Sequence, residues 1–95
     1  MDIQKELEVY ADDHLRFKDV TEKLSSRPDL CAFLILERLI PNETGDIISA
    51  SEHDEIYIDV DVKKLEKVAT EEDIRNLVAC GVMYDEENDS LSMFT

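Results

Sequence analysis

Carboxylates are the chain's most abundant ionisable groups, 24 Asp and Glu in 95 residues, and two placements could make them do chemistry. Asp59 and Asp61 alternate within "EIYIDVDV", so on a strand they share one face and could hold magnesium beside a phosphate substrate. The stretch "DEENDS", from Asp85, crowds carboxylates onto one turn as a calcium loop does. Both arrangements are incomplete. A calcium loop of the EF-hand kind needs a glycine at its bend and a closing glutamate, and a phosphate cradle needs a glycine-rich loop. The chain has two glycines, Gly45 and Gly81, and neither stands in such a place. His14 follows Asp12 and Asp13, and His53 lies between Glu52 and Asp54. Flanking carboxylates favour protonated imidazole, and no serine or cysteine stands at a spacing that implies a nucleophile and its base. No catalytic constellation, metal site or cofactor site is expected.

Cys31 and Cys80 stand alone, without CxxC spacing, and read as small core residues of a protein in a reducing, cytoplasmic setting. The acidic, mixed start "MDIQKELEVY" lacks the blocks of a signal peptide. The most apolar run, "CAFLILERLI", is too short to span a bilayer, so no membrane partner is expected. Ninety-five residues make one core. Charge is uneven along them: residues 1–41 hold 9 acids and 6 bases, and residues 42–95 hold 15 acids and 4 bases. A net charge of −14 repels phosphate and attracts cationic surfaces.

The elements that position these groups follow from periodicity. Ile3, Leu7, Tyr10, Phe17 and Leu24 step by fours and threes, with His14 and Thr21 in the skipped places. This is a helical stripe, in one helix or in two with a break near "DDH", and three heptads offer a homodimer seam or a helix packed on its own domain. "SSRPDL" reads as a helix start capped by Ser26, with Pro28 in the first turn and Asp29 favouring the positive end. The following helix is apolar nearly all round, so it is expected at the centre of the core, and Pro41 stops it. "NETGDIISASEHD" reads as the most mobile loop, with a short strand at "DIIS". In "EIYIDVDV", Ile56, Ile58, Val60 and Val62 point inward while Tyr57, Asp59 and Asp61 point to water. "VKKLEKVA" is a short helix with Leu65 and Val68 inward. Thr70 caps the next, with Asp73 completing an approximate capping box. Ile74, Leu77 and Val78 face in, and Gly81 is its left-handed stop. "VMYD" and "SLSMF" form a hairpin around "EEND". The expected core gathers Leu34, Leu36, Leu39, Ile58, Val60, Leu65, Ile74, Leu77, Val78 and Leu91.

From Pro28 to Phe94 the order helix, strand, helix, helix, strand, strand resembles the winged helix-turn-helix superfamily. The resemblance rests on Leu65 and Val68, the tight joint at Thr70, the face of Ile74, Leu77 and Val78, Gly81 and the hairpin. It implies an α+β fold: a winged-helix-like domain over residues 28–95, with a small antiparallel sheet, behind an N-terminal helical extension over residues 1–27. In DNA-binding members the third helix enters the major groove and the wing touches the backbone. Here that surface would present Glu71, Glu72, Arg75, Asn76 and Ala79, with Asp85–Asp89 at the tip. Arg75 and Asn76 are residue types that read guanine and adenine, but Arg75 is equally placed to pair with Glu71. DNA affinity comes mainly from neutralising phosphates with Lys and Arg, and one arginine faces about seven acids once Asp73 is counted. Direct nucleic-acid binding is not expected.

The reading that remains is a non-catalytic protein-interaction module. Its acidic residues Asp59, Asp61, Glu71, Glu72, Asp73, Asp85, Glu86, Glu87 and Asp89 would dock on a basic protein surface. A sharper form is nucleic-acid mimicry, in which the carboxylates stand in for phosphates and inhibit a DNA- or RNA-binding enzyme, as phage-type anti-restriction and anti-CRISPR proteins do. The alternatives are a dimeric transcription regulator using Arg16, Lys18, Lys23, Arg27 and Arg38 as its basic surface, and a small subunit or antitoxin of a larger complex.

Overall fold

The computed structural model describes residues 2–21, 23–41, 48–52 and 54–94. Gly45, His53 and most of the loop expected to be mobile lie outside the described residues. The fold is α+β. Its elements run α1 (Ile3–Ala11), a single 3-10 turn (Phe17–Asp19), α2 (Pro28–Leu39), β1 (Ile48–Glu52), β2 (Glu55–Ile58), α3 (Val62–Val68), α4 (Glu71–Ala79), β3 (Met83–Asp85) and β4 (Ser90–Phe94). The four strands form one antiparallel sheet in the order β1-β2-β4-β3.

The N-terminal stripe forms a helix only as far as Ala11. Asp2 caps it by accepting from the Lys5 amide, and the Ile3 amide donates to the Glu66 carboxylate at 2.9 Å, fixing the start of α1 to α3. At "DDH" the chain turns, with His14 in the left-handed region at φ 54°. Asp and His are poor helix formers, and short polar side chains compete with the backbone for its hydrogen bonds. Beyond the break the chain makes one 3-10 turn instead of a second α-helix. Ile3 and Leu7 are buried in the core, Tyr10 and Phe17 are half-buried against it, and Leu24 is exposed. Four of the five stripe residues therefore face the protein's own interior, and Leu24 does not.

In α2, Pro28 stands in the first turn as expected, but Arg27, not Ser26, is the N-cap residue, and no side chain caps the helix. The Ser25 hydroxyl accepts from the Arg27 amide instead. The helix buries Cys31, Ala32, Ile35 and Leu36, whereas Leu30 and Leu34 are each 44% exposed. It is thus not surrounded by core. Its buried arc faces α4, and no described element covers the opposite arc.

The strand "EIYIDVDV" ends at Ile58, earlier than its alternation predicts. Asp61 caps α3, its carboxylate accepting from the amides of Lys63 and Lys64 at 3.0 and 3.2 Å, and this draws Val62 into the helix. Period-two alternation therefore continues through a segment that is no longer strand. In α3, Leu65 is fully buried but Val68 is 49% exposed, and Ala69 takes the inward place. The two-residue joint at Ala69 and Thr70 leads into α4, where the expected capping box is complete. The Asp73 amide donates to the Thr70 hydroxyl at 3.1 Å, and the Thr70 amide donates to the Asp73 carboxylate at 3.0 Å.

Gly81, at φ 103°, ends α4. Its amide donates to the Val78 carbonyl and the Val82 amide to the Leu77 carbonyl, the paired bonds of a Schellman stop. The chain then enters the β3–β4 hairpin, which closes around Glu86–Asp89 as expected. Ile56 and Ile58 pair with Met93 and Leu91 on one sheet face. Leu36, Ile58, Leu65, Ile74, Leu77 and Leu91 are buried in one cluster; Leu39, Val60 and Val78 flank it half-buried. Leu34 lies outside it.

Candidate interaction surface

The outer face of α4 is where a groove-reading helix would contact bases, and here the protein's own N-terminal segment occupies it. Asn76 is only 6% exposed. Its side-chain carbonyl accepts from the Thr21 amide at 3.2 Å, and its NH2 donates to the Thr21 hydroxyl at 3.1 Å. The same hydroxyl donates to Glu72 at 2.7 Å. Arg75 does not pair with Glu71; its guanidinium donates to the Asp19 carbonyl at 3.2 Å. Ala79 is buried. The side chains that sequence alone offers for base reading are therefore committed to the strap from the 3-10 turn to Thr21. These partners lie some 55 residues away in sequence, and no local signal marks them.

The hairpin tip is built the same way, from carboxylates bonded within the chain. Asp85 accepts from the Glu87 amide and from the Asn88 side chain, and Asp89 accepts from the Tyr84 hydroxyl. Asp89 itself sits in the left-handed region at φ 47°, which Asp tolerates better than most residues. Glu86 accepts from the Gln4 side chain at 2.7 Å, joining the tip to α1.

The nine acids singled out by sequence thus divide by what they hold. Asp61, Asp73, Asp85 and Asp89 cap helices or shape the hairpin tip, and Asp73 also pairs with Arg38 at 3.1 Å. Glu72 and Glu86 accept from Thr21 and Gln4. Asp59 and Glu71 are exposed, and so is Glu87; none of their carboxylates accepts one of these bonds. Asp59 and Asp61 do not share a strand face, because both lie beyond the end of β2. Among the described residues no group of three or more His, Cys, Asp and Glu could hold a metal ion.

Helix α1 packs against both α4 and β3. Two tyrosines register the resulting field. The Tyr10 phenol is pushed up by burial and by the charges of Glu71, Glu6 and Asp13, while Arg75 opposes them. The Tyr84 phenol is pushed up to about 12, first by its hydrogen bond to Asp89, then by desolvation and the charges of Asp89, Glu86 and Asp2. Acids of α1 and its flanks, which the sequence reading did not single out, therefore join those of α4 and the tip.

Three basic residues of the first half are engaged within the chain. Arg27 pairs with Asp29, and Arg38 with Asp73. The Lys23 ammonium donates to the carbonyls of Lys18 and Val20 and lies over the Phe17 ring. A groove of about 550 Å³ opens among Phe33, Ile48, Ile56, Cys80, Met93 and Phe94. Cys80 is buried, and its thiol is pushed up to about 12 by desolvation and by the neighbouring Cys31, which removes its nucleophilic form. Among the described residues no helix is long and apolar enough to cross a membrane. Comparison with protein-family models, with curated proteins and with solved structures returns no match to this chain.

Proposed function

We propose that the chain is a non-catalytic interaction module on a winged-helix scaffold, docking on a basic partner through an acidic surface that runs from the start of α4 across α1 to the β3–β4 tip. The scaffold reading is supported by the order α2, β2, α3, α4, β3, β4, with β4 paired between β2 and β3. The docking reading is carried by one observation: α1 packs against both α4 and β3, and the Gln4 side chain donates to Glu86 at 2.7 Å, so α1, with its own acids Glu6 and Glu8, joins the acidic start of α4 to the acidic tip. Like charges gathered across elements form a field that steers a cationic partner and sets its rate of approach. In its sharper form the partner is a nucleic-acid-binding protein whose groove takes the carboxylates in place of phosphates. The engagement of Arg75 and Asn76 with the N-terminal strap argues against the opposite use of the fold, reading DNA with α4.

The test uses Asp13, Glu71 and Glu87, which are exposed and whose carboxylates hold no element in place. The Asp13→Lys, Glu71→Lys, Glu87→Lys triple variant should keep the fold. In pull-downs from the source organism's lysate, eluted stepwise with salt, the wild type should retain a basic protein that the variant does not. Retention of the same protein by both, at the same salt, would reduce the acidic surface to an aid to solubility. Duplex DNA should not be retarded at physiological salt, because the charge term that supplies non-specific binding has the wrong sign at −14.

A further inference from the structure

We infer that α2 is the contact surface of a twofold homodimer, in which the helices of two copies lie antiparallel across each other. The inference is independent of the acidic surface. The exposed arc of α2 carries Arg27, Leu30, Leu34 and Glu37 in one stripe, with steps of three, four and three residues. Steps of three and four keep residues on one helix face. That sequence of steps reads the same in either direction, so a twofold axis beside position 32 sets Leu30 of one copy on Leu34 of the other, at both ends of the contact. It also sets Arg27 of each copy opposite Glu37 of the other. The stripe is thus self-complementary in shape and in charge, which is what an isologous contact requires.

Two further observations favour a second copy. Leu30 and Leu34 are each 44% exposed one turn apart, on a helix whose opposite arc buries Cys31, Ala32, Ile35 and Leu36. Paired leucines in such a place mark a contact surface more often than isolated ones. The charges between Arg27 and Arg38 are two bases and two acids, and the stripe itself carries one of each, so this helix is neutral on a chain of net charge −14. Two copies repel each other least where they meet through it. Arg27 is the residue just before the helix; it pairs with Asp29 at 3.4 Å, but its side chain is 68% exposed and a guanidinium has five donors, so it can reach across as well. A carboxylate has room for more than one donor, so the Glu37 pair adds to the contacts that residue already makes.

Sedimentation velocity and light scattering on the whole chain, from about 5 µM to about 0.5 mM, should show a concentration-dependent monomer–dimer equilibrium, since one helix pair is a small interface. Leu34→Glu should weaken the dimer at least about tenfold, because it sets a desolvated charge against the partner's leucine. Arg27→Glu and Glu37→Arg should each weaken it severalfold, and the double variant should restore it, since the swap returns opposite charges to the same places. The circular dichroism spectrum should not change in any of them, because all three substituted positions are exposed. A chain that stays monomeric throughout the range overturns the inference, as does a dimer indifferent to Leu34→Glu. A dimer lost in the leucine variant, but with charge effects that simply add in the double variant, overturns the antiparallel pairing.

Discussion

Replacing Asn76 by alanine tests whether the N-terminal strap is a working part of the fold. Asn76 makes two bonds to Thr21, accepting from its amide at 3.2 Å and donating to its hydroxyl at 3.1 Å. Neutral intramolecular hydrogen bonds contribute about 1 kcal/mol each, net of the water bonds they replace. Thr21 is exposed and can turn to water, so its groups would not be stranded. Alanine is also the better helix former, by roughly 0.6 kcal/mol, which offsets part of the loss. The expected destabilisation is therefore about 1.5 kcal/mol, read in urea as a lower midpoint with an unchanged slope. Amide exchange should accelerate most around the 3-10 turn and Thr21, the segment the side chain holds. Thr21→Ala in the same background should cost less than in the wild type, with a coupling of about 1 kcal/mol between the two positions. A change below about 0.5 kcal/mol, with no coupling, would refute the reasoning and detach the strap from α4.

Three other outcomes follow from single sites. Gly81→Ala should cost about 1–2 kcal/mol by thermal melt, a backbone cost and not a clash, since the added methyl would stand 3.9 Å from the Met93 methyl while φ is 103°. Tyr84 should ionise near pH 12, and Asp89→Asn should bring that step down toward 10 in an ultraviolet titration. The sign is fixed: the fold holds the phenolic proton more tightly than the unfolded chain does, so the contribution is whole below pH 10 and fades between 10 and 12. Cys80, with its thiol near 12, should react with a disulfide reagent at pH 8 no faster than the protein opens, and denaturant should release both thiols together.

Much of the local structure was legible in the residues themselves. Pro28 at the start of α2, the Thr70–Asp73 box, the Gly81 stop and the hairpin around Glu86–Asp89 each depend on groups within a few positions of one another. Capping, left-handed stops and tight turns are local chemistry, so the sequence by itself determined them. The acidity of the surface was equally fixed by composition. The reach of each pattern was not. Alternation ran on past Ile58 because it does not register the Asp61 cap that converts strand into helix. Apolar residues all round α2 implied burial on every side, but Leu30 and Leu34 are each 44% exposed. What only the tertiary structure decided is the use of α4: an outer face with base-reading side chains became the seat of the chain's own N-terminal strap. The bonds responsible join Asn76 to Thr21 and Arg75 to Asp19, and hydrogen bonds between residues so far apart leave no periodicity in either segment. They exist only once the core of Ile3, Leu7, Ile74 and Leu77 has brought the segments together, because burial of apolar surface is non-directional and polar groups find their partners within the geometry it leaves.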